Sequence, residues 1–192
     1  VKTLVSDHPE MVQLFRKTGL MHVFLPEWEE LCKTEQNTRH HDYNVEDHTL
    51  QVLRHIKADP ILRLAAFFHD IAKPICKWTD DEKVDHFTGH PGSGAEMTRR
   101  IMRRMRFDND SIRKVSSLVR WHDERPADNE RSVRRAMVKI GDEAFPNLFE
   151  LKRADTMGQS NYMREEKLAA IDMFERRYRE IREKKQALTV KD

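Results

Sequence analysis

The sequence predicts an all-α protein, a bundle of about seven or eight helices around one core. Three observations carry this expectation. Apolar residues recur at helical spacing from one end of the chain to the other. The 192 residues include only 6 glycines and 7 prolines, and no Asn-Gly-type dipeptide separates alternating apolar runs. Capping residues, prolines and glycines also stand where helices would begin or stop.

The elements follow in order. Pro9 to Leu20 reads as a short helix closed near Gly19, followed by a linker with Leu25-Pro26-Glu27-Trp28. Glu46 to Ile56 is amphipathic, with Leu50, Leu53 and Ile56 on one side. Asp59-Pro60 supplies an N-cap and a first-turn proline. The helix it opens, ILRLAAFFHDIA, is apolar on nearly every side and belongs at the buried centre. Pro74 should stop it, and Lys77 to Gly89 reads as a polar loop. Pro91 to Arg106 is a basic helix with Ile101, Met102 and Met105 inward. Asp108 caps another, in which Ile112, Val115, Leu118, Val119 and His122 recur at helical spacing. Arg131 to Ile140 closes at Gly141, Phe145 to Met157 follows, and a long charged helix runs from about Asn161 to Lys185.

Composition narrows the function classes. Hydrophobic residues are 38% and charged residues 35%, which is a folded composition with a heavily charged surface. A net charge of +2 is too mild to define a nucleic-acid binder by charge alone. Cys32 and Cys76 are far apart and form no C-x-x-C pair, so a zinc knuckle is excluded and a reducing, cytoplasmic location is expected. No run approaches 18 apolar residues, so no membrane span is expected. The opening VKTLVSDHPE is already polar, unlike a signal peptide, and a start at Val1 reads as a fragment or processed chain.

The chemistry gathers around histidines and acids. His69-Asp70 ends the most apolar helix, where lone polar groups are costly to bury and the helix dipole favours a cation. Alone, the pair reads equally as a hydrogen-bonded core histidine beside a helix-end acid. His48 lies on the preceding helix, His90 starts the next long one, His122 ends LVRWHD, and Asp155 sits in LKRADTMGQ. Each has an ordinary structural role open to it: a core histidine, a turn residue, a dipole partner, or a salt bridge from Asp155 to Lys152 or Arg153. Together, on successive helices, they point to a divalent ion. Imidazole and carboxylate ligands without thiolate suit Mn, Fe, Ni, Zn or Mg.

The order His48, His69-Asp70, Asp155 resembles the ligand order of the HD superfamily of metal-dependent phosphohydrolases, and His90 with His122 resembles its binuclear members. The stretches LPEWEEL, HHDYNVEDHTL, LRLAAFFHDIAKP, DHFTGHPGSGAEM, IRKVSSLVRWHD, VRRAMVKIG and LKRADTMGQS resemble the HD region of bacterial CCA-adding tRNA nucleotidyltransferases. The likeness runs from roughly Gly19 to Arg182, without a nucleotidyltransferase head. CCA addition is therefore not expected of this chain, which reads as an excised domain or a stand-alone relative. We assign 1–192 to a single HD domain: 1–45 as helix and linker, 46–160 as the metal-binding core, and 161–192 as the long C-terminal helix.

The resemblance implies hydrolysis of phosphate esters with one or two divalent ions. His48, His69, Asp70 and Asp155 would hold the first, and His90 and His122, with Asp70 bridging, the second. Asp70, Lys73 and His86 are the candidate catalytic residues. Lys73 would face a phosphate oxygen or serve the helix dipole, while His41 (or His40) and Tyr43 would touch substrate. The expected substrate is a nucleotide or RNA phosphate, including 2′,3′-cyclic esters, with tRNA as a partner. The competing expectation is a tRNA-binding body domain whose metal site is vestigial or structural.

Overall fold

In the computed structural model, residues 1–38 and 44–189 are described; the expectations for His40, His41 and Tyr43 lie outside them. A 3-10 turn at Pro9–Val12 leads into α1 (Gln13–Lys17), α2 (Leu20–Phe24) and α3 (Pro26–Cys32). The main bundle is α4 (Val45–His55), α5 (Pro60–Phe68), the one-turn α6 (Lys73–Cys76), α7 (His90–Arg104), α8 (Asn109–Trp121), α9 (Glu130–Ile140), α10 (Phe145–Gly158) and α11 (Arg164–Thr189). Seven of these have nine residues or more, so the all-α expectation holds. No helix among the described residues is long and apolar enough to cross a membrane.

Helix α5 is the centre, as its apolar sequence requires. Asp59 caps it by accepting from the Ile61 and Leu62 amides, and Leu62 through Phe68 are all buried. Arg63 is tolerated there because the carbonyls of Ile56, Lys57 and Leu4 accept from its guanidinium. Phe67 stacks on the buried Trp28 of α3 at 4.0 Å between ring centroids. Around α5, α7 pairs with α8 and α4 with α10, while α11 covers α9 and α10.

Three local expectations are corrected. The linker expected at Leu25-Pro26-Glu27-Trp28 is helical from Pro26, which takes the first turn of α3, and Trp28 and Leu31 bury that helix against the core. Pro74 does not stop the central helix. That helix ends at Phe68, the chain turns through 69–72, and Pro74 lies in the first turn of α6. A proline nitrogen cannot donate to the Asp70 carbonyl as a continuing helix would need, and that carbonyl accepts from Lys73 instead. The Lys77–Gly89 segment is also more than a loop. It contains an antiparallel hairpin of β1 (Trp78–Thr79) and β2 (Asp85–His86), with Trp78 opposite His86. Two-residue strands are too short to show alternation. The turn is closed by the Asp80 carboxylate, which accepts from the Glu82 and Val84 amides, and by Lys83 at φ 62°.

The α4–α10 crossing is closest at Gly158. A Cβ there would meet Val52 Cγ2 at 2.8 Å and the Val52 nitrogen at 3.1 Å. Gly158→Ala is expected to cost about 1–3 kcal/mol by overpacking. Thermal melts should show a loss of several degrees, partly recovered by adding Val52→Ala. An unchanged melting temperature would contradict the close approach.

Candidate metal centre

Four buried or nearly buried imidazoles meet where α4, α5, α7 and α8 converge. His48 comes from the middle of α4, which Asn44 caps by accepting from the Asp47 amide. His69 and His122 are the C-terminal caps of α5 and α8, and His90 is the first residue of α7. Each ring is oriented by a backbone carbonyl that accepts from its Nδ1. The distances are 3.1 Å for His48 to Gly158, 2.7 Å for His69 to Ala66, 2.8 Å for His90 to Phe87 and 2.8 Å for His122 to Val119.

A carbonyl oxygen can only accept, so each Nδ1 carries the proton, and in the neutral ring each Nε2 presents a lone pair. Those lone pairs point at one another. His48 Nε2 lies 3.1 Å from His69 Nε2, and His90 Nε2 lies 3.3 Å from His122 Nε2. Ligands at right angles around an ion, each bonded at about 2.1 Å, stand about 3.0 Å apart. The observed spacings are those of a coordination shell.

Two carboxylates complete it. Asp155 Oδ1 lies 3.0 Å from His48 Nε2 and 3.7 Å from His69 Nε2. Asp70 faces both ways, with Oδ2 at 3.1 Å from His69 Nε2 and 3.6 Å from His48 Nε2, and Oδ1 at 3.3 Å from His90 Nε2. Two groups result, His48–His69–Asp155 and Asp70–His90–His122, each with its ligand atoms within 4.8 Å of one another. The buried Asp70 Oδ2 has no properly angled hydrogen bond, which an ion would remedy. The donor set therefore fits divalent metal binding.

The electrostatics agree. Burial pushes the Asp70 carboxyl up, but His69 and Lys73 outweigh it and hold it well below the usual carboxylate range. Asp155 behaves alike, burial being outweighed by His48 and His69. Burial lowers His69, yet Asp70 and Asp155 carry it above the ordinary histidine value. His122 moves the other way, to about 4, through burial and the neighbouring His90 and His69.

The remaining candidates sit around this centre. The Lys73 ammonium, expected to face phosphate, lies 2.8 Å from Asp70 Oδ2 and 2.5 Å from Gln36 Oε1, over the Phe87 ring. It thus anchors Asp70. The His86 Nε2 lies 2.6 Å from Asp80, and its ring stacks on Trp78. Both residues line the cleft of about 350 Å³ that opens onto the centre. The salt bridges weighed for Asp155 do not form. Arg153 pairs with Asp172 and Glu175, and the Lys152 ammonium donates to the His122 and Glu124 carbonyls. Burial pushes that amine down to about 8. The sequence reading missed Gln159, whose amide donates to Asp155 Oδ1 at 3.2 Å and whose oxygen accepts from Lys167. Its place one turn after Asp155 was the available signal.

A buried histidine–aspartate cluster assembled from successive helices defines a helical domain whose donors are compatible with a divalent metal ion. The chain belongs to the HD domain family, which matches residues 39–172. It is 32% identical over 160 residues to the CC-adding tRNA nucleotidyltransferase of Thermus thermophilus, covering 80% of this chain and 36% of that protein. It is 32% identical over 144 residues to the A-adding tRNA nucleotidyltransferase of Deinococcus radiodurans, covering 71% and 32%. It is also 29% identical over 127 residues to a multifunctional CCA protein of Neisseria gonorrhoeae, covering 63% and 30%. The chain thus spans about a third of the length of these relatives.

A pH dependence follows from His122. Its folded value of about 4 lies below the ordinary value of 6.5, so the fold favours the neutral ring. The stability this contributes is complete above pH 6.5 and lost as pH falls from there toward about 4. In chelator-treated protein, wild type should therefore lose melting temperature relative to His122→Gln across that window. A parallel decline in both proteins would contradict a neutral, buried His122.

Proposed function

We propose that this chain is a metal-dependent phosphohydrolase or phosphodiesterase acting on nucleotide or RNA phosphate esters, 2′,3′-cyclic esters included. One observation carries the reading. Four imidazoles pinned through Nδ1 turn their Nε2 lone pairs onto two carboxylates at the floor of an open cleft. In this reading His48, His69, Asp70 and Asp155 would hold one ion, and His90 and His122, with Asp70, would hold a second. When bound, divalent ions supply Lewis acidity, polarising phosphoryl oxygens and making water acidic enough to attack near neutral pH.

The chain's own residues do the rest. Lys73 holds the Asp70 carboxylate between the two groups of histidines. Gln159 orients Asp155 through its amide, as outer partners of metal ligands do. Arg125 and His86 stand on the cleft wall, where they can meet the phosphate or its leaving group. Burial of the cluster keeps bulk water from competing for the same donors.

Hydrolysis of bis-p-nitrophenyl phosphate tests the reading. Activity should vanish with a chelator, return with one of Mn, Fe, Ni, Zn or Mg, and fall at least about 100-fold in His69→Ala/Asp70→Ala. Equal rates in wild type and variant would overturn the assignment.

The likeness to tRNA nucleotidyltransferases favours a second reading, a tRNA-binding body domain in which the metal is structural. It expects tRNA binding that weakens steeply with salt and survives the same double substitution. Fluorescence anisotropy with labelled tRNA at two salt concentrations decides that point.

A further inference from the structure

Beside the candidate metal centre lies a second cavity of about 260 Å³, walled by α10, α11 and the residues that follow α8. It shares His122, Asp123, Arg125, Asp155 and Gln159 with the metal-centre cleft, so the two open onto the same atoms. Its remaining lining is mostly apolar. Ile171 and Phe174 are core residues and form its floor, and Pro126, Met163, Ala170 and Met173 complete the walls. Met163 reaches it from a left-handed backbone at φ 52°, a conformation that costs free energy in a residue other than glycine.

We infer that this cavity seats the nucleobase of a nucleotide whose phosphate lies at the metal centre; the inference rests on the phosphoester reading above. Size and placement support it. At about 260 Å³ the space lies just under the roughly 300–1,000 Å³ of sites for whole drug-sized ligands, as suits a single base rather than an entire nucleotide. Asp155 and Gln159 line both spaces, so a ligand can pass from one into the other along these two side chains. The chemistry of the lining selects among organic groups. Glu166, Lys167 and Arg125 lie among the apolar side chains. An occupant must therefore be apolar on its faces and polar at its edges, as a heteroaromatic base is and an alkyl chain is not. Methionines against a flat ring add favourable sulfur–aromatic contact.

Two measurements test the inference. In the first, methyl-labelled methionine is followed by NMR as adenosine is added to chelator-treated protein. The Met163 and Met173 methyls should shift, and Ala170→Trp, a cavity-filling change at an exposed helical position, should abolish the response. Should that variant melt early, Ala170→Met should reduce the shifts. Shifts confined to other methionines, or unchanged in the filled variant, would overturn the inference. In the second, Ala170→Trp should raise KM for 2′,3′-cyclic AMP about tenfold or more, with kcat retained and glycerol 1,2-cyclic phosphate, which has no base, unaffected. Equal effects on both esters would remove the base pocket while leaving the hydrolase reading intact. Methyl shifts without hydrolysis of either ester would do the reverse.

Discussion

Each of four imidazoles gives its Nδ1 proton to a backbone carbonyl and turns its Nε2 lone pair toward a shared buried space. The rest of the molecule answers that constraint. Lone pairs 3.1–3.3 Å apart repel, and two carboxylates beside them add negative charge. Without a metal ion, protons, the Lys73 ammonium beside Asp70 and the positive fields of Lys152 and Lys167 on Asp155 relieve part of the concentration of charge. With one, the same atoms become a coordination shell. A divalent ion bound there would couple its binding to folding, because the chain holds these groups together against their repulsion.

Helix ends do the positioning. His69 and His122 close α5 and α8, and each bonds back to a carbonyl three residues earlier, Ala66 and Val119. His90 does the same with Phe87 as α7 begins. Unpaired carbonyls at a helix terminus are ordinarily left to water; here they set the tautomer of the clustered imidazoles. His48 is the exception. Its carbonyl is Gly158, 110 positions away, and the α4–α10 crossing that supplies it is tight enough to require glycine.

The relatives place this domain in a larger setting. The proteins named CC-adding and A-adding tRNA nucleotidyltransferase are each about three times the span that the chain matches. The HD family match spans residues 39–172, the stretch in which the clustered histidines and aspartates of this chain lie. In the proposed reading, a cleft with carboxylates on its floor and an apolar chamber at its side takes a phosphate attached to a ring. That chemistry differs from polymer extension, and both can reside in one family because function lives in sites placed on a fold.

The sequence by itself determined the helices and the identity of the cluster. Apolar spacing, the caps Asp59 and Asp108 and the glycine at 141 are local signals, and they located α5, α8 and α9 to within a few residues. His48, His69, Asp70, His90, His122 and Asp155 stood out because polar, ligand-type residues on apolar helix faces need a partner. Local signals could not reveal the hairpin at Trp78–His86, closed by one aspartate and strands of two residues. Only tertiary packing decided that Lys73 faces Asp70 and that Gln159 supports Asp155. Packing also decided that α10 and α11 leave a chamber beside the metal ligands. Those facts depend on how helices distant in the chain are turned against one another, and side-chain spacing along one helix carries no record of that rotation.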